Sequence, residues 1–184
     1  MRSKPISVRK FSNRLSGLVQ VYTGDGKGKT TAAFGLALRA AGAGLKVGIF
    51  QFIKGPRHSE STIFKSIDNI TIKQCGIGRF IKGRPSPADI DAAHKGFREV
   101  RDSMVSGRYD VVILDEVNSA LGADLINTDE IKQLITDKPS SVELVLTGRG
   151  YPKSLYKYAD LITYMKKVKH PFDHGIMARK GIEY

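Results

Sequence analysis

The 184-residue sequence is poor in cysteine, tryptophan and long apolar runs. Its single cysteine, Cys75, excludes an internal disulfide, and tryptophan is absent. No apolar stretch approaches the roughly 20 residues that span a bilayer. The first 17 residues carry five basic side chains and no acid, and no apolar core of a secretory signal follows them. We therefore expect a cytoplasmic protein with no membrane segment.

Acidic residues are also scarce. Lys and Arg number 30 against 18 Asp and Glu, which gives a formal net charge of +12, so polyanions are expected partners. The excess is spread over residues 1–17, 54–84 and 149–180, and the sequence shows no compact basic helix or stacking-aromatic pattern of an RNA- or DNA-binding module. A nucleoside triphosphate is thus favoured over nucleic acid. Solvated surface lysines are the alternative explanation for part of the excess.

Strand-like and helix-like segments alternate along the chain. Short apolar runs predict six strands, at 18–23, 46–52, 70–73, 110–115, 142–147 and 159–165. Helices are predicted at 31–41, from a Ser86 cap through Met104, at 129–135 and at 152–158. We predict a single α/β domain over residues 18–184, preceded by a basic arm over 1–17. Its open, mostly parallel sheet has helices on both faces and binds ligand at the carboxyl ends of the strands.

A glycine-rich turn follows the first predicted strand. It reads Gly24-Asp-Gly-Lys-Gly-Lys-Thr-Thr31, and such a turn curls so that backbone N–H groups and the next helix's positive end face an anion. Lys29 supplies a mobile cation and Thr30 can hold Mg²⁺. The usual pattern is glycine, four residues of any type, and then Gly-Lys-Ser/Thr. Here Thr23 stands at the position of the first glycine, and the glycine is displaced to Gly24. The alternative is an ordinary Gly- and Lys-rich turn.

Two further clusters lie where strands are predicted to end. Val111-Val-Ile-Leu-Asp115-Glu116 resembles a Walker B element, which places a carboxylate beside Mg²⁺ on the phosphates; the acid pair could instead cap the next helix. Arg149 follows another strand and can reach a phosphate with its permanently charged fork, or it can belong to a surface turn. The spacing of His170 and His174 is that of helical metal ligands, but Pro171 disfavours a regular helix there, so no zinc site is expected.

Together these motifs resemble the P-loop type of ATP:cob(I)alamin adenosyltransferase, which implies a P-loop, RecA-like fold. The resemblance runs in order from about Gly17 to Tyr184, and the threonine variant of the loop is the family's own form. The blocks that carry it are Val21–Ala33, Arg39–Gly42, Gln51–Gly55, Ile113–Glu116, Leu146–Arg149, Ala159–Asp160, Lys169–Phe172 and Gly181–Glu183.

The resemblance implies that the 5′-deoxyadenosyl group of ATP is transferred to the Co(I) of a reduced corrinoid, with inorganic triphosphate leaving. The nucleotide would lie reversed in the loop relative to kinases. ATP is then the co-substrate, the corrinoid the substrate and Mg²⁺ (or Mn²⁺) the metal, held by Thr30 and Glu116 with Asp115 as a supporting acid. The residues assigned to stabilise the leaving triphosphate are Lys27, Lys29 and Arg149. The residues assigned to bind nucleotide and corrinoid are Thr23, Gly24, Asp25, Gly26, Lys27, Gly28, Lys29, Thr30, Thr31 and Phe80.

One stretch departs from the family pattern. Bacterial members have Gly-x-Gly-Phe-Thr-Trp, whose aromatics help displace the lower cobalt ligand, whereas this chain has Gly76-Ile-Gly-Arg-Phe80-Ile81. Phe80 is expected to substitute in part. The family further implies a homodimer and a reduced flavoprotein as electron donor, with no nucleic acid and no membrane involved.

Two other functions use the same loop. A P-loop ATPase or kinase would release ADP with orthophosphate or a phosphorylated product. A basic ATP-binding regulator would bind DNA or RNA with a steep salt dependence and leave the corrinoid untouched.

Overall fold

The structure, a computed structural model, describes residues 16–53, 59–76 and 83–183. Its strands are β1 Val19–Thr23, β2 Val47–Phe52, β3 Ile70–Cys75, β4 Val111–Asp115, β5 Glu143–Thr147 and β6 Leu161–Tyr164. Its α-helices are α1 Lys29–Gly42, α2 Ser59–Phe64, α3 Pro87–Val105, α4 Val117–Gly122 and α5 Thr128–Asp137, and two 3₁₀ helices span Lys153–Tyr158 and Pro171–His174.

All six strands form one parallel sheet in the order β3-β2-β4-β5-β1-β6. One strand, β5, therefore lies between β1, which leads into the glycine-rich turn, and β4, which ends in Asp115. Every strand's carboxyl end faces the same edge, as the crossover connections of parallel strands require. The sequence pattern predicts that the ligand binds at this edge.

The sheet is covered on both faces, which confirms the prediction. One apolar cluster packs α1 and α2 against one face, through residues such as Phe34, Phe64 and Ile49. The other packs α3, α4 and α5 against the opposite face, through residues such as Val100, Leu134 and Leu114. Successive residues of β4 alternate between the clusters, as expected where strand side chains alternate direction and both faces are buried.

The predicted elements are present with small boundary shifts. Ser86 forms a capping box with Asp89 at the start of α3, and α1 begins two residues earlier than its apolar pattern predicts. The helix predicted at 152–158 is a 3₁₀ helix. Two short helices, α2 and α4, were not predicted, because six residues give too little helical periodicity to recognise.

The edge strand β6 is unlike the others, since three of its four residues are exposed. After it the chain stays on the surface and returns toward the glycine-rich turn. Residues 1–15 of the basic arm lie outside the described part of the chain. Within the part that is described, no helix is long and apolar enough to cross a membrane.

Candidate active site at the carboxyl edge of the sheet

The glycine-rich turn joins β1 to α1 at the carboxyl edge. Gly24 and Gly28 have φ values of 104° and 118°, which favour glycine. A Cβ on Gly24 would also lie 2.5 Å from the carbonyl oxygen of Met165. The N–H of Gly26 donates to that same oxygen at 2.7 Å. The turn is thus fixed from outside by the segment that follows β6.

Thr23, the residue that departs from the ordinary loop pattern, is buried at the base of the turn. Its Oγ1 accepts a hydrogen bond from the N–H of Tyr151 at 3.3 Å. The threonine therefore links the end of β1 to the chain that follows β5. The Thr23 side chain thus fixes the loop to Tyr151. It does not line the cavity described below, whose first lining residue in the loop is Asp25.

Asp115, at the end of β4, is fully buried and accepts hydrogen bonds from three side chains. Its Oδ1 accepts from Thr30 Oγ1 at 2.8 Å and from Thr147 Oγ1 at 2.7 Å, and its Oδ2 accepts from Gln51 Nε2 at 3.2 Å. These donors compensate the cost of burying a carboxylate. Asp115 thereby orients the hydroxyl of Thr30 at the first turn of α1.

Glu116 is held in the left-handed backbone region, with φ 61°. Its N–H donates to Thr147 Oγ1 at 2.9 Å, and its carboxylate accepts from Ser119 Oγ at 2.5 Å. Within the described residues this carboxylate makes no capping bond to the backbone of α4, so the capping alternative is not what the structure shows. The side chain instead lines the same cavity as Lys29 and Thr30.

The three predicted cations are placed differently. Lys29 is 7% exposed, and its Nζ donates to the Gly26 carbonyl at 2.8 Å. Burial lowers the pKa of Lys29, and the charge of Arg149 lowers it further, while nearby carboxylates, Glu116 foremost, oppose the shift. Lys27 is exposed and bonds to the C-terminal segment. Arg149 is exposed, and its backbone N–H donates to Ser119 Oγ at 3.2 Å.

These side chains surround two adjoining cavities. The first, of about 310 Å³, is lined by the loop from Asp25 to Thr31 together with Glu60, Glu116, Arg149, His170, Ile182 and Glu183. The second, of about 860 Å³, shares Asp25, Arg149 and His170 with it and adds Tyr164, Lys166, Lys167, Phe172 and Asp173. The first cavity, called the recess below, combines loop backbone with Lys27, Lys29, Arg149 and four carboxylates. It opens into the second cavity, the wider hollow, which has aromatic faces, and the pair suits a metal-bound polyphosphate with an organic group attached.

Phe80 lies outside the described residues, so the structure says nothing of its predicted contact with the corrinoid. The predicted residues from Asp25 to Thr31, Glu116 and Arg149 line the first cavity. Asp115 is bonded to Thr30, and Thr23 and Gly24 precede the lining part of the loop. Among the residues the structure describes, no three His, Cys, Asp or Glu side chains are grouped to hold a metal ion. A metal here would need donors from the bound nucleotide, as Mg²⁺ at phosphates usually has.

Comparison with known proteins identifies the family. A profile described as ATP:corrinoid adenosyltransferase BtuR/CobO/CobP matches residues 15–184. The chain is 33% identical over 168 residues to the corrinoid adenosyltransferase of Escherichia coli strain K12, covering 91% of this chain and 86% of that protein. The chain belongs to the ATP:corrinoid adenosyltransferase family. The resemblance read from the sequence motifs is therefore confirmed.

A second relative agrees with this assignment, and a solved structure shares the fold. The corrinoid adenosyltransferase of Pseudomonas aeruginosa is 34% identical over 170 residues, covering 91% of this chain and 84% of that protein. A KaiC-like protein of Pyrococcus horikoshii OT3 aligns with a TM-score of 0.56 over 84% of this chain and 75% of that chain, at 16% identity. At that identity the likeness shows the fold alone, and it confirms the RecA-like α/β prediction.

The structure of this adenosyltransferase also contains site residues that sequence reasoning missed. Thr147 and Gln51 bond to Asp115, Ser119 bonds to Glu116, and Glu183 bonds to Lys27. For Thr147 a signal existed, because it ends a predicted strand and the ligand was expected at the carboxyl ends of the strands. For Glu183, at the far end of the chain, sequence distance hid the contact.

Proposed function

We propose that this adenosyltransferase transfers the 5′-deoxyadenosyl group of ATP to the Co(I) of a corrinoid and releases inorganic triphosphate. The electron pair of Co(I) forms the bond to C5′, and the electrons of the broken C5′–O bond leave with the triphosphate. ATP-dependent adenosylation of corrinoids is the reaction for which the family is named. The observation that carries the site assignment is the meeting of Lys29, Thr30 and Glu116 around one recess at the glycine-rich turn.

The leaving triphosphate gains charge as the C–O bond breaks, so the site must stabilise that charge. The Gly26 N–H is already bonded to Met165, so we assign phosphate binding to the amides from Lys27 to Thr31. Those at the start of α1 have no carbonyl partner within the helix. Lys29 Nζ, now 2.8 Å from the Gly26 carbonyl, would exchange that oxygen for a phosphate oxygen. Arg149, at the junction of the two cavities, would reach the triphosphate from the other side.

The donor set fits Mg²⁺, which prefers hard oxygen ligands and keeps several from the nucleotide. Thr30 Oγ1 and the Glu116 carboxylate would hold it. Asp115 would support it, because both of its oxygens already accept hydrogen bonds and it orients Thr30. The ion would neutralise charge on the phosphates.

The wider hollow adjoins the recess through Asp25, Arg149 and His170. We propose that the nucleoside and the edge of the corrinoid meet there, with Tyr164 and Phe172 offering apolar faces that keep water from Co(I). Phe80 would pack against the lower face of the corrinoid. The family resemblance supports three further proposals: a homodimer, a reduced flavoprotein as electron donor, and a cytoplasmic location.

The test is incubation of the protein with ATP, Mg²⁺ and chemically reduced cobalamin, followed by identification of both products. We expect adenosylcobalamin and inorganic triphosphate in equal amounts. ADP with orthophosphate, or a phosphorylated corrinoid, would instead show a P-loop ATPase or kinase. Binding of DNA or RNA with a steep salt dependence and no reaction of the corrinoid would favour the regulator.

A further inference from the structure

The C-terminal segment returns to the phosphate loop and forms part of the recess. Lys27 Nζ donates to the Ile182 carbonyl at 3.1 Å and to Glu183 Oε1 at 2.9 Å. Both Ile182 and Glu183 line the recess together with Lys29 and Thr30. A carboxylate 156 positions along the chain from Lys27 thus lies in the recess to which we assign the triphosphate.

Glu183 is fixed in that position by Arg179. The Arg179 N–H donates to Glu183 Oε2 at 2.8 Å, its Nε donates to the same oxygen at 3.2 Å, and its Nη2 donates to Oε1 at 3.1 Å. These bonds and the one from Lys27 lower the pKa of Glu183 to about 2. The side chain is therefore anionic at any working pH and points its charge at Lys27.

A fixed carboxylate in an anion site has a consequence for binding. Triphosphate must compete with Glu183 for Lys27, and it is also repelled by the like charge.

We propose that Glu183 is a positioning residue that holds Lys27 and thereby limits the affinity of the phosphate loop for triphosphate, so that the product can leave. The inference rests on the proposed function, in which triphosphate is the product. Lys27 would contribute fully to binding only while the ligand displaces the Glu183 side chain. The Glu183 carboxylate would bind Lys27 again as the ligand departs.

The test measures binding of inorganic triphosphate with Mg²⁺ to the full chain by calorimetry. Glu183→Gln keeps the shape and removes the charge, and we expect the Kd to fall about two- to fivefold, the range that exposed ion pairs give. Inhibition of turnover by triphosphate should strengthen equally. Because the pKa of Glu183 lies at about 2, ionisation of Glu183 itself should add no pH dependence to the ratio of the two Kd values from about pH 6 to about pH 9.

Asp137→Asn is the matched control. Asp137 is also a carboxylate hydrogen-bonded by an arginine, Arg101, but it ends α5 on the far face of the sheet and does not line the recess. The variant changes the net charge as Glu183→Gln does, so its Kd should equal that of the parent.

A second background tests the route through Lys27. In Lys27→Ala protein, Glu183→Gln should tighten binding less than in the parent, since the competition has been removed. Equal tightening in both backgrounds would show a direct charge effect and overturn the positioning role. Glu183→Asp retains the charge but withdraws it by one methylene, and it should fall between parent and Glu183→Gln, which gives a reading if the latter folds poorly.

The outcomes separate this inference from the proposed function. If the parent forms no adenosylcobalamin and triphosphate, the proposed function fails. If the parent binds it and folded Glu183→Gln binds with the same or a higher Kd, the inference fails and the proposed function stands.

Discussion

Thr147→Val tests whether the hydroxyl at the end of β5 holds the two acidic residues together. Thr147 Oγ1 donates to Asp115 Oδ1 at 2.7 Å and accepts from the N–H of Glu116 at 2.9 Å, and the residue is fully buried. Valine has nearly the same shape but can make neither bond. The substitution therefore removes the bridge without opening a cavity.

The magnitude follows from the two bonds that are lost. A hydrogen bond to a charged group contributes about 1.5–3 kcal/mol, and a buried donor left without a partner costs about 1–3 kcal/mol. Allowing for non-additivity, we expect the free energy of unfolding to fall by about 2–4 kcal/mol. For a chain of this size that lowers Tm by roughly 4–16 °C. The N–H of Glu116 also loses its anchor in the left-handed region, so we expect kcat/KM for ATP to fall about tenfold, equivalent to about 1.4 kcal/mol.

Thr147→Ser is the matched control, because it retains the hydroxyl and loses one methyl group worth about 0.8 kcal/mol. Thermal and denaturant unfolding should separate the two variants by about 1–3 kcal/mol, and kcat/KM should fall only for valine. Equal stability of the valine and serine variants would refute the bridging role. A stable valine variant with normal kcat/KM would show that the position of Glu116 does not depend on the Thr147 hydroxyl.

Four other substitutions test the site. Lys29→Ala and Thr30→Ala should each reduce turnover about 10²- to 10³-fold at saturating ATP and Mg²⁺, and near-normal rates in both folded variants would remove them from the site. Glu116→Gln should shift the Mg²⁺ dependence of turnover to higher concentration; superimposable titrations of variant and parent would return Glu116 to a structural role. Phe80→Ala should slow the reaction of cobalamin more than that of cobinamide when both start as Co(II) with the same reductant, and equal slowing would contradict displacement of the lower ligand.

Much of the fold could be predicted because its signals are local. The apolar runs of β4 and β5 are short and nearly continuous, which identifies central parallel strands. Ser86 and Asp89 cap α3 through contacts three residues apart. The helix α2 has only six residues, so its periodicity is too short to detect, and the 3₁₀ form of residues 153–158 depends on packing that the sequence pattern does not show.

The site was predictable in its parts and not in its connections. Lys29, Thr30 and Glu116 carry local motifs, and the structure places all three around one recess. The hydrogen bond from Lys27 to Glu183 spans nearly the whole chain, and no local pattern encodes it. The family resemblance implied different roles for Asp115 and Glu116, and the structure shows different positions: Asp115 is fully buried, whereas Glu116 lines the recess.

The strand order explains why the bridge between loop and acids comes from β5. Neighbouring strands are about 4.8 Å apart, so β1 and β4, with β5 between them, are separated by roughly 10 Å. Asp115 at the end of β4 cannot span that distance, and it contacts the loop's helix only because Thr30 reaches toward it. Thr147, which ends β5, lies next to this contact. Its hydroxyl donates to Asp115 Oδ1 and accepts from the N–H of Glu116. Because β5 lies between β4 and β1, the residue that ends β5 stands between the loop and the acids. Thr147 makes two hydrogen bonds at this position, and an apolar residue there would make neither.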